Sequence, residues 1–273
     1  MNSAVCVKII RDTRWQLLVS AALLFAFAWL FVWMNSLIKM GLWSAVLDML
    51  PNFVHKLMPV PAKELLSPTG RISLVFVHIV PMILFVGWAL VRGSEMISGE
   101  IESGRFEVLL TLPVPRPVWV FIPGTVTFLG AVILAMVLWA GLWVGCHQIR
   151  VGEPVDTTRF HLAALNLAMM AFAFAGITSA ISACFHSRGK TLAIATVLFV
   201  AAVIVKLVAR LWTAGEWLKY LSFMTLFEPQ LLIFSQESAR ISLHYNLALG
   251  IIGVVGHLIA AAILAWRDIP VPR

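Results

Sequence analysis

Six long apolar stretches, five of them without a single charged residue, decide what this chain can become. They run over about 16–34, 72–91, 118–146, 162–185, 191–208 and 245–266, with Lys206 the one charge among them. A bilayer core takes about 20 apolar residues per helix, whereas a barrel strand needs only about 10. Inside lipid, only helices and closed barrels satisfy every backbone group, and runs of this length suit helices. The sequence therefore predicts an all-α integral membrane protein with six transmembrane helices in one domain, 1–273. Composition agrees: 12% of the 273 residues are charged, against about 25% in a soluble domain.

What lies between the spans completes the plan. At the amino terminus Val5, Val7, Ile9 and Ile10 interleave with Lys8, Arg11 and Arg14, which predicts a short amphipathic surface helix. The first span lacks a convincing cleavage site, so it reads as a retained anchor rather than a signal peptide. An even span count places both termini on one side. The tight turn Ser187-Arg188-Gly189-Lys190 holds two cations and no acid, so that side is predicted to be cytoplasmic. An outer loop at 35–71 carries apolar Leu42, Trp43, Val46 and Leu47 and the helix-breaking Pro51, Pro59, Pro61 and Pro68. In the third span, Pro123-Gly124 allows a bend. The stretch 210–243, with Trp212, Trp217, Tyr220, Phe223 and Phe227, is too apolar for a loop and too interrupted for a span. It predicts an interfacial or re-entrant helical element before the sixth span. The formal charge of +7 belongs to span ends facing anionic headgroups, not to nucleic acid.

The functional signal sits between the second and third spans. Segment 94–116 contains Glu95, Glu100, Glu102, Glu107, Arg105 and Arg116, the densest charge in the chain. Ile97, Ile101, Val108 and Leu112 recur near helical spacing, the glutamates supply a polar face, and Pro113 ends the run. Gly99 and Gly104 weaken a continuous helix, so a break near Ser103-Gly104 into two short helices is expected.

The order Gly99-Glu100-x-Glu102-x-Gly104-x-x-Glu107-x-Leu109-Leu110-x-Leu112-Pro113-Val114-x-Arg116 resembles the signature of type-2 ABC transporter permeases. Trp217-Leu218-x-Tyr220-Leu221-Ser222 and the closing Arg267-Asp268 resemble permease features as well. Arg105 stands where that family often has threonine, and Pro115 where serine is common. The resemblance implies a transmembrane subunit of an ATP-binding-cassette exporter, in a bacterial inner membrane, moving a hydrophobic or amphipathic substrate. It makes 94–116 the cytoplasmic coupling helix, with Glu100, Glu102, Gly104, Arg105 and Glu107 contacting a separate ATPase subunit that uses ATP and Mg. A second permease subunit, the same chain or a close relative, would complete the pathway among the membrane lipids. The alternative is a channel or membrane enzyme that works without an ATPase.

Other constellations point away from chemistry on this chain. Gly189-Lys190-Thr191 ends like a phosphate loop, but Cys184 occupies the position of its first glycine and no strand precedes it. Cys6, Cys146 and Cys184 are scattered, and the seven histidines lack ligand spacing. No cofactor or metal bound by this chain is expected, nor a catalytic residue. His78, Asn166, Trp217, Tyr220 and Phe223 are the candidate pathway or gate residues, His78 and Asn166 because they are polar within spans. Gly176, Ala180, Thr178, Ser179 and Ser182 on the fourth span read as close helix packing. Lys206 is expected to snorkel to the outer interface.

Overall fold

The computed structural model describes residues 2–38, 49–106, 111, 114–152 and 154–266. Among the described residues, six helical stretches are long and apolar enough to cross a membrane; their main helices are α1 (Asn2–Ser36), α2 (Ile79–Ser94, within the stretch Pro68–Glu102), α3 (Val118–Gln148), α4 (Phe160–Cys184), α5 (Arg188–Leu211) and α6 (Ser238–Trp266). They fall on the six predicted stretches. The expected surface helix does not stand apart from the first span. α1 is one helix of 35 residues, about 52 Å at 1.5 Å per residue, so Lys8, Arg11 and Arg14 occupy its own early turns. Nothing in 2–16 breaks helical propensity, which is why no joint forms there.

The second span is broken where its sequence is continuous in hydropathy. Ser67 caps a short helix, Pro68–Ser73, by accepting from the Gly70 amide at 3.0 Å, and a 3-10 turn follows over Leu74–Val77. His78 is extended (φ −67°, ψ 147°) and caps α2, its Nδ1 accepting from the Val80 amide at 3.3 Å. Pro81 then falls in the first turn of α2, where a missing N–H costs no ladder bond. Three of the four prolines in 35–71, Pro51, Pro61 and Pro68, likewise stand at helix starts. Pro51 precedes Asn52–Leu57 and Pro61 precedes Ala62–Leu66. The predicted apolar patch Leu42, Trp43, Val46 and Leu47 lies outside the described residues. Pro123 sits inside an unbroken α3.

α4 is the centre of the bundle. About two-thirds of its apolar window (67%) is buried, against 6% for α5. Small side chains make that possible: a Cβ on Gly176 would fall 2.3 Å from the Gly253 carbonyl oxygen of α6, so the two backbones touch. α1 packs on α3 by the same device, with Gly141 against Phe25 and Ala28 and Gly145 against Val32. Trp88 of α2 lies over Gly130 of α3 and donates its indole N–H to the Thr127 carbonyl at 3.0 Å. Before α4, the Asp156 carboxylate accepts from the Thr158 amide (2.9 Å) and hydroxyl (2.5 Å). These bonds hold the Asp156 carboxyl below the usual carboxylate range.

The stretch after α5 is helical in short pieces, as expected: 3-10 turns at Thr213–Tyr220 and Phe223–Leu226, then Pro229–Phe234. Its first half is exposed at Trp212, Trp217, Tyr220 and Leu221, while Met224, Phe227, Leu232 and Ile233 are buried in the bundle.

Candidate functional site

α2 does not stop at the end of its apolar run. It continues through a π turn, Glu95–Gly99, and one α turn, Glu100–Glu102. The predicted break follows: Ser103 ends the turn and Gly104 takes φ +71°, a left-handed conformation that suits glycine. Arg105 and Phe106 follow, the first exposed and the second fully buried. Both are helical, and Glu107 lies outside the described residues.

The glutamates of this segment face three different ways. Glu95 pairs with the buried Arg92 at 3.0 Å. Glu100 turns inward, with its side chain 14% exposed, lying 3.1 Å from Arg105 and 3.8 Å from Lys8 of α1. Glu102 is exposed, and its Oε2 accepts from the Arg188 amide at 2.5 Å. Arg188 is the first residue of α5, so a carboxylate sits at the positive end of a helix dipole. The outward tip is therefore Glu102, Ser103, Gly104 and Arg105, while Glu100 fixes the tip to α1. Arg105 also donates to the Ser103 hydroxyl at 3.0 Å.

Behind the tip lies a buried set of hydroxyls that sequence reading assigned only to packing or passed over. The Ser98 amide donates to Ser182 Oγ of α4 at 2.8 Å, and Ser182 Oγ lies 3.1 Å from the Ser94 carbonyl. Thr191 of α5 reaches Ser98 Oγ at 3.0 Å. All four residues have zero solvent exposure. The sequence clue was Ser94 and Ser98 four apart on an otherwise apolar face, opposite the small-residue run of α4.

The other candidates scatter along the molecule. His78 is a helix cap set against Phe27 in a tilted contact and edge-on to Phe31, with ring centroids 4.9 and 5.6 Å away. Asn166 is a strut at the far end: its amide donates to the Leu226 carbonyl (3.0 Å) and to Asn246 Oδ1 (2.9 Å), and its oxygen accepts from the Glu228 amide (3.0 Å). Phe223 stacks on Phe174 at 6.0 Å, whereas Trp217 and Tyr220 point away from the bundle at 57% and 82% exposure. The structure thus brings Asn166 of α4 against the element that carries Phe223 and leaves His78 apart from both. The expected snorkelling is not seen: Lys206 folds against the element that follows α5, its side chain 13% exposed, 3.0 Å from the Glu228 carboxylate and 2.6 Å from the Phe227 carbonyl. Arg210 pairs with the same carboxylate. Among the described residues, no three His, Cys, Asp or Glu side chains gather as a metal-holding group.

A family model for ABC-2 family transporter proteins matches residues 7–234, which takes in every span but the sixth. The chain belongs to the ABC-2 family. It is a multi-pass permease, the membrane subunit of an ABC transporter, a kind of subunit that carries no ATPase of its own. The matched range contains the whole π-turned segment, its hydroxyl support and the Lys206–Glu228 cluster. No curated protein matches the permease.

Proposed function

We infer that this permease is half of an exporter, driven by a cytoplasmic ATPase subunit that docks on 94–116. The carrying observation is the shape of that segment: a span extended past its apolar run, ending in an exposed charged tip at Glu102–Arg105 and braced on α1, α4 and α5. A loop charged only to avoid lipid needs no such bracing. In this reading both termini lie on the ATPase side of a bacterial inner membrane. A second permease subunit, identical or closely related, completes the pathway, and Glu107 joins Glu102, Gly104 and Arg105 in contacting the ATPase. Glu100 contributes by holding the tip. The element 213–234, with Trp217, Tyr220 and Phe223, serves as the outer gate, and the apolar lining of the bundle suits a hydrophobic or amphipathic substrate.

The test is co-purification. Glu102→Ala with Arg105→Ala is expected to leave the permease folded by its melting temperature and to remove the ATPase subunit that accompanies the native chain. Retention of that subunit in native amounts would sink the coupling role of the segment.

A further inference from the structure

We propose that Ser182 is a positioning residue that sets the rotational register of the ATPase-facing tip, with Thr191 as its support; this rests on the coupling reading above. In a regular α-helix the Ser98 amide would donate to the Ser94 carbonyl, four residues back. Here the Ser182 hydroxyl stands between those two groups, accepting from the amide at 2.8 Å and lying 3.1 Å from the carbonyl. The helix at that point is a π turn, Glu95–Gly99. A side chain inserted into the ladder is a recognised cause of such distortion, and the extra residue of a π turn shifts everything after it.

The size of that shift matters for the tip. One residue is about 100° of rotation around a helix axis. In the π register Glu100 faces inward to Lys8 and Arg105, and Glu102 meets the first amide of α5. In a plain α register, residues 100–102 would turn by about that angle and lose both sets of partners. Thr191 holds the same turn from α5 through its 3.0 Å contact to Ser98 Oγ, and the Arg188 guanidinium donates to Ser94 Oγ at 3.4 Å. Two helices therefore grip one turn, and α4 supplies the group that keeps it wide. Neither Ser182 nor Thr191 is exposed to a partner, since both have zero exposure. Their influence on the ATPase is exerted through the tip.

The experiment reads register directly. In full-length permease with its three native cysteines replaced by alanine, Glu100→Cys and Glu102→Cys are labelled separately with a membrane-impermeant maleimide. With Ser182 in place, position 102 should label about tenfold faster than position 100, because thiol labelling follows exposure. Ser182→Ala should bring the two rates within about twofold of each other, and Ser182→Thr, which keeps the hydroxyl, should restore the difference. An unchanged rate ratio in Ser182→Ala overturns the proposal. If Ser182→Ala unfolds the bundle, Thr191→Val decides. That variant keeps volume and removes the hydroxyl, so a fall in the ratio supports the proposal and a native ratio overturns it. Repeating the labelling with the co-purifying ATPase subunit bound tests the coupling reading on its own. Failure of that subunit to shield position 102 would reject the docking role while leaving the register result standing.

Discussion

At its amino-terminal end α5 is joined to the rest of the chain through Thr191, Ser98 and Ser182, neutral hydroxyls about 3 Å apart, and through the Glu102 carboxylate on its first amide. At its other end the joint is ionic: Lys206 and Arg210 close on Glu228, which lies on the folded-back element and is 7% exposed. Between these joints α5 fully buries only Ala195. The helix is thus held mainly at its ends, by two chemistries with different costs of breaking. Hydroxyls exchange partners at a modest cost, on the order of 0.6 kcal/mol per contact between membrane helices. A buried ion pair that loses one partner leaves an uncompensated charge, at about 3–5 kcal/mol. The joint beside the tip is built to be adjusted and the far joint to be latched.

The largest effect that can break this contrast is at Glu228. Glu228→Ala strands Lys206, whose side chain is 13% exposed, and the partly exposed Arg210 (24%), and is expected to cost about 3 kcal/mol in detergent unfolding. Adding Lys206→Met should recover part of that loss, since fewer charges then remain without a partner. A cost below about 1 kcal/mol for Glu228→Ala would mean the far joint is solvated and no latch. Next comes Asn166→Leu, which leaves the Glu228 amide and Leu226 carbonyl without their side-chain partner at about 1–3 kcal/mol. Amide exchange at Glu228 should rise before any global unfolding. Thr191→Val, at the opposite joint, should cost about 0.5–1 kcal/mol in the same unfolding assay. Equal costs for Thr191→Val and Glu228→Ala would erase the distinction between the ends.

The smallest effect is one of pH. The Asp156 carboxyl is depressed by its bonds to Thr158, so its contribution is present above the ordinary carboxylate pKa of about 4 and fades as pH falls through the lower folded value. Asp156→Asn should lower the melting temperature slightly at neutral pH and flatten the acid limb of stability against pH. Because Asp156 is exposed, the neutral-pH loss should stay under about 1 kcal/mol.

How far the sequence reaches is clear from particular residues. The six spans, the element after α5 and the break at Ser103-Gly104 were all legible, because hydropathy over 20 residues and a glycine beside a turn act locally. The break at His78 was hidden, although Pro81 marked the neighbourhood, since hydropathy does not register a change of helix type. Lys206 was placed at the interface because its partner, Glu228, is distant in sequence and reaches it only when the chain folds back.

By itself the sequence determined that this is a polytopic helical permease and where its charged tip lies. The helical spans follow from lipid's demand that every backbone group be satisfied within one helix, and the permease reading from the residue order of 94–116. Only the tertiary structure decided which way the tip faces. That depends on a serine of α4 entering the ladder of α2, a contact between residues 84 positions apart. Packing brings such groups together, and no periodicity in the segment announces it.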